Sequence, residues 1–387
     1  MKALIRVLTS VVLCALSVAC SPAGRIVEAK SDGAAKGSRV RPVPSSLGLP
    51  ARPEWRLGSP TTYNNLTVFP VFGDGSSASA DLITLDEGLR SGKVIITELG
   101  ADGRSHRINR RQSGDSAEVN RLALTNNSGK ALVLIAGEMI LGGKQDRIVG
   151  HDCIIEAKNT PVPLDVFCVE HGRWSGGLAF GESRGAGAAS GRGRGSGSGS
   201  GSGAGAGMSV APMALPKIRE KAQAQKSQGE VWSAVAETVT VTATSTSTGN
   251  LNSVYQDRRV NKKLDDYERA FKDKLSAGKI VGVVAAVGGK IVSADVFANH
   301  SLFQAYWPKM LKSYALEAVS RGENRAQQVS RTEAEAFLAR AQGNSASDGR
   351  EGVYRLAENQ SSADASFELE YTRKSPTLVH FNRVSKK

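Results

Sequence analysis

Residues 279–297 read KIVGVVAAVGGKIVSADVF, and the fold class turns on how this stretch is read. Lys279 to Val287 and Lys290 to Phe297 are apolar, β-branched runs of strand length. Gly288-Gly289 between them can take the positive φ that a tight hairpin turn requires. Asn299 follows as a helix cap. Behind it, apolar residues recur at Leu302, Phe303, Tyr306, Trp307, Met310, Leu311, Tyr314 and Ala318. That spacing lays one broad apolar stripe along a helix, suited to packing against a sheet. Pro308 either kinks this helix or begins a second one, because it lacks an N–H and its ring crowds the preceding turn. A hairpin followed by a helix that covers it predicts an α+β fold, with antiparallel β hairpins packed against amphipathic helices.

Upstream, Leu66 to Phe72 reads as an edge strand, since Pro70 cannot donate to a central ladder. Thr84-Leu85-Asp86-Glu87 offers a cap and an acidic first turn for a short helix ending near Gly92. A strand over Lys93 to Leu99 follows. Val119 to Thr125 and Ala131 to Ile135 flank Asn126-Asn127-Ser128-Gly129, the pattern of a hairpin. His151 to Ala157 and Val162 to Val169 form a second pair across Asn159-Thr160-Pro161. Lys217 to Val239 and Ser253 to Leu275 are charged amphipathic helices. Downstream of the central hairpin, a short helix spans Thr332 to Ala341, with strands near 353–358, 366–372 and 377–384.

The N-terminus carries an export pattern: a basic start from Met1 to Arg6, an apolar run from Val7 to Ala19, then Cys20. Leu16-Ser17-Val18-Ala19-Cys20 resembles the lipobox of bacterial lipoproteins, with Ser17 where leucine is usual. The expectation is a signal peptide over 1–19 and lipidation at Cys20. An ordinary cleaved signal with a chance cysteine is the alternative. Residues 20–58, rich in Pro, Gly, Ala, Ser and Arg, read as a flexible tether. Residues 185–207 are Gly, Ser and Ala apart from Arg192 and Arg194, which makes 184–212 a low-complexity linker rather than an RNA-contacting repeat. One domain then has a β-rich first half over 60–183 and a helical and hairpin second half over 213–345. C-terminal strands occupy 350–387. The expected location is the bacterial cell envelope, lipid-anchored and facing the periplasm or exterior. Ser21 after the anchor favours the outer membrane in a diderm host.

The formal charge of +13 falls to +11 once Lys2 and Arg6 leave with the signal. That balance favours anionic partners, such as lipid headgroups or an envelope polymer, and no nucleic acid is expected outside the cytoplasm. Cys14 leaves with the signal, so Cys153 and Cys168 remain. If 151–169 is a hairpin centred on Thr160-Pro161, the two lie opposite each other and a cross-strand disulfide fits an oxidising compartment. Two buried free thiols, or a reactive cysteine beside Glu170 and His171, are the other readings. Gly143-Lys144 fails as a phosphate loop, because position 138 is Glu and Gln145 offers no hydroxyl for magnesium. His106, His151, His171, His300 and His380 lack metal-ligand spacing, so neither a metal site nor a cofactor is expected.

Several segments together resemble a known family. Gly137-Glu138, Gly143-Lys144-Gln145-Asp146-Arg147, Val169-Glu170 and Gly172-Arg173-Trp174 are similar to the signature of the ARPP domain. These domains occur in proteins associated with ADP-ribosylglycohydrolases and rhodanese-like phosphatases. Gln228-Gly229-Glu230-Val231-Trp232, the central hairpin, Tyr306-Trp307-Pro308-Lys309 and Ser313-Tyr314-Ala315 extend the resemblance over about residues 60–345. It departs at Asp146, where the family usually carries Asn. The resemblance implies an α+β fold and leaves the biochemical activity open.

Three readings of the motif residues follow. In a binding module, Lys144, Arg147 and Arg173 hold an anion, Trp174 gives a stacking wall and Gln145 reads a polar group. In an enzyme, Glu138 or Glu170 is a general base beside Arg147 and Arg173. In a structural or interaction protein, these charges pair with one another and pin the hairpins.

Overall fold

The computed structural model describes residues 55–75, 81–99, 120–172, 211–322, 328–339, 344–373 and 376–386. These all fall in one compact unit, Val40–Lys387. The expected signal over 1–19, the expected anchor at Cys20, nearly all of the expected tether, the Gly/Ser/Ala tract, Arg173 and Trp174 lie outside the described residues.

In chain order the first half contains β1 (Arg56–Leu57), β2 (Thr61–Tyr63), β3 (Leu66–Phe72), β4 (Leu82–Thr84), α1 (Leu85–Arg90) and β5 (Val94–Glu98). It continues with β6 (Arg121–Asn126), β7 (Ala131–Leu134), β8 (Met139–Ile140), β9 (Arg147–Val149), β10 (Cys153–Ile155) and β11 (Lys158–Cys168). The second half contains α2 (Pro216–Gln223), α3 (Gln228–Val241), α4 (Leu251–Gln256), α5 (Arg258–Phe271), β12 (Ile280–Val287), β13 (Lys290–Phe297), α6 (His300–Ser320) and α7 (Arg331–Leu338). Four strands close the chain: β14 (Asn344–Arg350), β15 (Tyr354–Gln360), β16 (Asp364–Tyr371) and β17 (Thr377–Ser385). Helices and largely antiparallel sheets make the fold α+β.

The central hairpin forms as its sequence predicts. β12 and β13 pair antiparallel, and Gly288 and Gly289 both take positive φ, 59° and 78°. The hairpin sits inside a nine-stranded sheet of order β1-β3-β12-β13-β17-β16-β15-β14, with β2 also on β3. β3 comes from the first half of the chain and β17 from its end, so one sheet joins both halves and the C-terminal strands. Two smaller sheets, β10-β7-β4 and β5-β6-β11-β9-β8, are built from the first half alone. Side chains of β12 and β13 reach both faces of the large sheet, with register shifts at Ile280/Gly282 and Ala285/Ala286 interrupting strict alternation. Val283, Ala285, Val292 and Phe297 join the main core with the α6 stripe, whereas Val281, Val284, Ala294 and Val296 pack with Ala334 and Leu338 of α7.

Several expectations are corrected. β3 is not an edge strand: β12 flanks one side, β1 and β2 the other. Pro70 is accommodated because β1 reaches only Val71 and Phe72, and β2 only Leu66 to Val68. Pro70 stands in the gap between them, where its carbonyl accepts the Gly58 N–H at 2.8 Å. The 126–129 turn does not close a hairpin. The buried Asn126 carboxamide accepts from the Ser128 N–H and hydroxyl, and donates to the carbonyls of Lys130 and Ile155. This diverts the chain, so β6 and β7 enter different sheets.

The 151–169 pair separates likewise: β10 lies on β7, and β11 on β6 and β9. Cys153 therefore faces Leu134 and Cys168 faces Arg147, and both are free, buried thiols rather than a disulfide. The two long helices each break in two. Lys226 at φ 53° lies in the break between α2 and α3, and Asp257 ends α4 while capping α5 through the Arg259 and Val260 N–H groups. α6 runs on through Pro308 without starting a second helix. β14, Asn-Ser-Ala-Ser-Asp-Gly-Arg, is polar and carries no apolar alternation that would mark it as a strand.

Gly282 tests the hairpin packing. A Cβ there would stand 2.3 Å from the Asp295 carbonyl oxygen and 2.6 Å from Val296 Cα, whereas one at Gly278 meets nothing within 4 Å. Gly282→Ala should cost about 3 kcal/mol in urea unfolding, and Gly278→Ala less than about 0.5 kcal/mol.

Candidate functional site

Two buried polar networks flank the loop that carries Gly137-Glu138. The first is built on α1 and α6. The capping box of Thr84 and Glu87 starts α1 and presents Asp86 in its first turn. The apolar stripe of α6 carries Lys309 into the interior at 2% exposure. Its ammonium lies 2.7 Å from Asp86 Oδ2 and 2.5 Å from Glu138 Oε1. Glu138 Oε2 accepts the Ile135 N–H at 2.7 Å, with the Tyr306 hydroxyl 3.5 Å away. Burial, partly offset by Lys309, holds the Glu138 carboxyl above the usual carboxylate range. Burial alone would lower the Lys309 ammonium, but Glu138 and Asp86 outweigh it and hold it above its ordinary value.

The second network centres on Asp295, which β13 places facing α2. Arg219 of α2 forks onto it, at 2.6 and 3.3 Å, with both side chains fully buried. Ser293, Tyr314 and Asn382 also donate to its carboxylate. His380 of β17 lies between two carboxylates: Nδ1 is 2.6 Å from Asp152 Oδ2, and Nε2 is 3.3 Å from Asp295 Oδ1. Asp152 Oδ1 accepts the Ala136 N–H at 2.8 Å. Burial opposes the Asp295 charge, but Arg219 and His380 overcome it and hold the carboxyl well below the usual range. Gly137 lies between the two networks at φ 87°, and a Cβ there would meet Arg219 Cγ at 2.5 Å. The ring of Phe297 stacks on Tyr306 at 5.0 Å and lies 4.5 Å from His380, which bridges the networks with apolar surface.

The structure gathers Lys144, Gln145, Arg147 and Glu170 into a third cluster, and places Glu138 at the other end of the β8–β9 pairing. Arg147 is buried and grips Glu98 bidentately at 3.1 and 3.0 Å, with the Gln145 carbonyl at 3.0 Å. Glu170 accepts from Thr248 Oγ1 at 2.8 Å and from the Asp146 N–H at 3.1 Å. Gln145 Nε2 donates to the Glu170 carbonyl, and Asp146 accepts from the Gly142 N–H and Asn250 Nδ2. Lys144 is exposed, and its backbone N–H donates to Glu98. Burial pushes the Cys168 thiol up to about 11 and Cys153 higher still, which leaves little thiolate at neutral pH.

Sequence reasoning missed Asp86, Asp152, Arg219, Asp295, Lys309 and His380. The signal was a charge or imidazole at a position whose neighbours are apolar: Asp295 within a β-branched strand, Lys309 within the α6 stripe, and His380 between Val379 and Phe381.

A family model for the ARPP-1 domain, the ARG and Rhodanese-Phosphatase-superfamily-associated Protein domain, matches residues 54–384. No curated protein and no solved structure is matched. The match takes in the C-terminal strands, which carry His380.

Removing one member of the Arg219–Asp295 pair strands the other charge in the interior. Arg219→Met should destabilise the domain by about 3–5 kcal/mol. The double change Arg219→Met with Asp295→Leu should recover part of that loss in the same urea titration.

Proposed function

We propose, from the premise that the chain belongs to the ARPP-1 family, that it is a lipid-anchored envelope protein whose domain acts as a binding and interaction module. The motif charges on this reading set the shape of the domain and do not carry out chemistry. The observation that supports it most is the state of the candidate bases. Both oxygens of Glu138 and both of Glu170 already accept hydrogen bonds from within the fold. Arg147, the central cation of the anion-binding reading, is forked onto Glu98. A group held this way does not offer itself to substrate without breaking a buried pair.

The anchor reading rests on the basic start, the short apolar run and Cys20. The outer membrane is favoured over the inner in a diderm host, from Ser21. The partner class is anionic, a small ligand or an envelope polymer, on the strength of the +11 left once Lys2 and Arg6 leave the +13 chain with the signal, and of the exposed Lys144.

A second reading, an envelope enzyme with Glu138 or Glu170 as base beside Arg147 and Arg173, draws on one observation. Burial raises the proton affinity of Glu138, as an acid–base residue requires.

Cys20→Ser should abolish incorporation of labelled fatty acid and move the protein from the membrane to the soluble fraction. Unchanged membrane retention and labelling would contradict the anchor. For the domain, thermal-shift screening with phosphorylated, nucleotide and glycan compounds should return stabilising anions. Lys144→Ala should weaken that stabilisation several-fold, and turnover of any such compound, lost in Glu138→Gln, would favour the enzyme reading instead.

A further inference from the structure

The arrangement around His380 sets a buried carboxylate beside each nitrogen of one imidazole. Nδ1 is hydrogen-bonded to Asp152 at 2.6 Å, Nε2 lies 3.3 Å from Asp295 Oδ1 outside hydrogen-bond geometry, and all three side chains are fully buried. A neutral imidazole has one N–H and one lone pair. In that form it would turn a lone pair toward a carboxylate in a medium that screens poorly. The charges give the same answer. Asp152 and Asp295 are balanced by Arg219 and a protonated His380, whereas a neutral ring leaves one buried negative charge uncompensated.

We propose that His380 is a proton-loaded clamp: as an imidazolium it ties strand β17 to Asp152 and Asp295, and loss of its proton as pH rises loosens the domain. The loop before β10 supplies Asp152, and β13 supplies Asp295, Ser293 and the ring of Phe297. Arg219 and Gln223 come from α2, and Tyr314 from α6, while Asn382 lies two residues along β17 and Leu369 faces the histidine from β16. The one cation in this set, Arg219, is forked onto Asp295 and does not cancel the pull of both carboxylates.

Burial disfavours the imidazolium, but Asp152 and Asp295 outweigh it, and His380 is held above its ordinary value. A raised folded value fixes the sign. The clamp contributes fully below about pH 6.5, where the histidine of the unfolded chain is also protonated. Its contribution drains away as pH rises from there through the folded value. On the export reading above, the domain meets the pH of its surroundings, so the clamp would make its rigidity follow external alkalinity. The clamp itself is a property of the purified protein and stands apart from the anchor.

The test uses the purified full chain in detergent. Unfolding equilibria for wild type, His380→Gln and Asp152→Asn are followed between pH 6.5 and 9.5. Wild type should lose up to about tenfold in its folding constant per pH unit more than His380→Gln does, and Asp152→Asn should show a smaller excess. Equal slopes in wild type and His380→Gln overturn the proposal. The ring ¹⁵N shifts of wild-type His380 serve if the variants do not fold. Two protonated nitrogens at pH 7.5 support the clamp, and a neutral tautomer at that pH overturns it.

Discussion

A guanidinium and a carboxylate held at zero exposure, Arg219 and Asp295, sit where the two halves of the chain meet. Each charge is tolerable in the interior only if the other arrives with it, along with the hydroxyls, amide and imidazole that complete the shell. The pair therefore acts less as a source of net stability than as a condition. Helix α2 must dock over β13, and β17 must lie beside it, before either charge can leave water. The same condition governs Lys309 between Asp86 and Glu138, which binds α6 to the start of α1. Non-native packings that brought only one partner would bury an unpaired charge, and that penalty selects the native register.

The Gly137 loop is the seam where these demands converge. Its backbone is held by Val149 from its own half and by partners beyond the Gly/Ser/Ala tract: Ala214 N–H donates to the Gly137 carbonyl at 2.8 Å, and Met139 N–H to the Pro212 carbonyl at 3.2 Å. Its neighbours Ile135 and Ala136 donate to Glu138 and Asp152, one member of each network. Only glycine takes the loop's φ of 87° without strain and leaves room for the Arg219 stem. This gives the Gly137-Glu138 pair a physical reason: the glycine admits the arginine, and the glutamate meets the lysine. The Gly143-to-Arg147 stretch is a second fastening, with Asp146 holding Gly142 and Asn250 through its two oxygens. The departure from Asn at position 146 is thus accommodated among amide donors.

The sequence carried local structure well where a single cause decided it. The Gly288-Gly289 turn, the Asn299 cap, the Thr84 capping box and the apolar stripe of α6 were all legible, because each depends on residues within a turn or two of one another. Partner choice between strands was not. Asn126 looked like the start of a hairpin turn, yet its carboxamide bonds Ile155, twenty-nine residues away, and no local pattern reveals that. Pro70 marked an edge by rule, but two short strands that stop on either side of it allow an interior place. The candidate site was legible only in part. Glu138, Arg147 and Glu170 stood out as motif residues, but their partners Lys309, Glu98 and Thr248 come from distant segments. His380 and Asp295 were hidden inside apolar strands, where the charge itself was the only clue.

The segments before and after the Gly/Ser/Ala tract form one cooperative structure held by buried charge pairs and a shared sheet. Its most direct test is to place a protease site within residues 185–207, cleave it in the folded protein, and follow the fragments by size-exclusion chromatography and thermal unfolding. Both fragments should co-elute after cleavage and unfold together in a single transition. Fragments that part without denaturant, or that melt in two independent transitions, would contradict it.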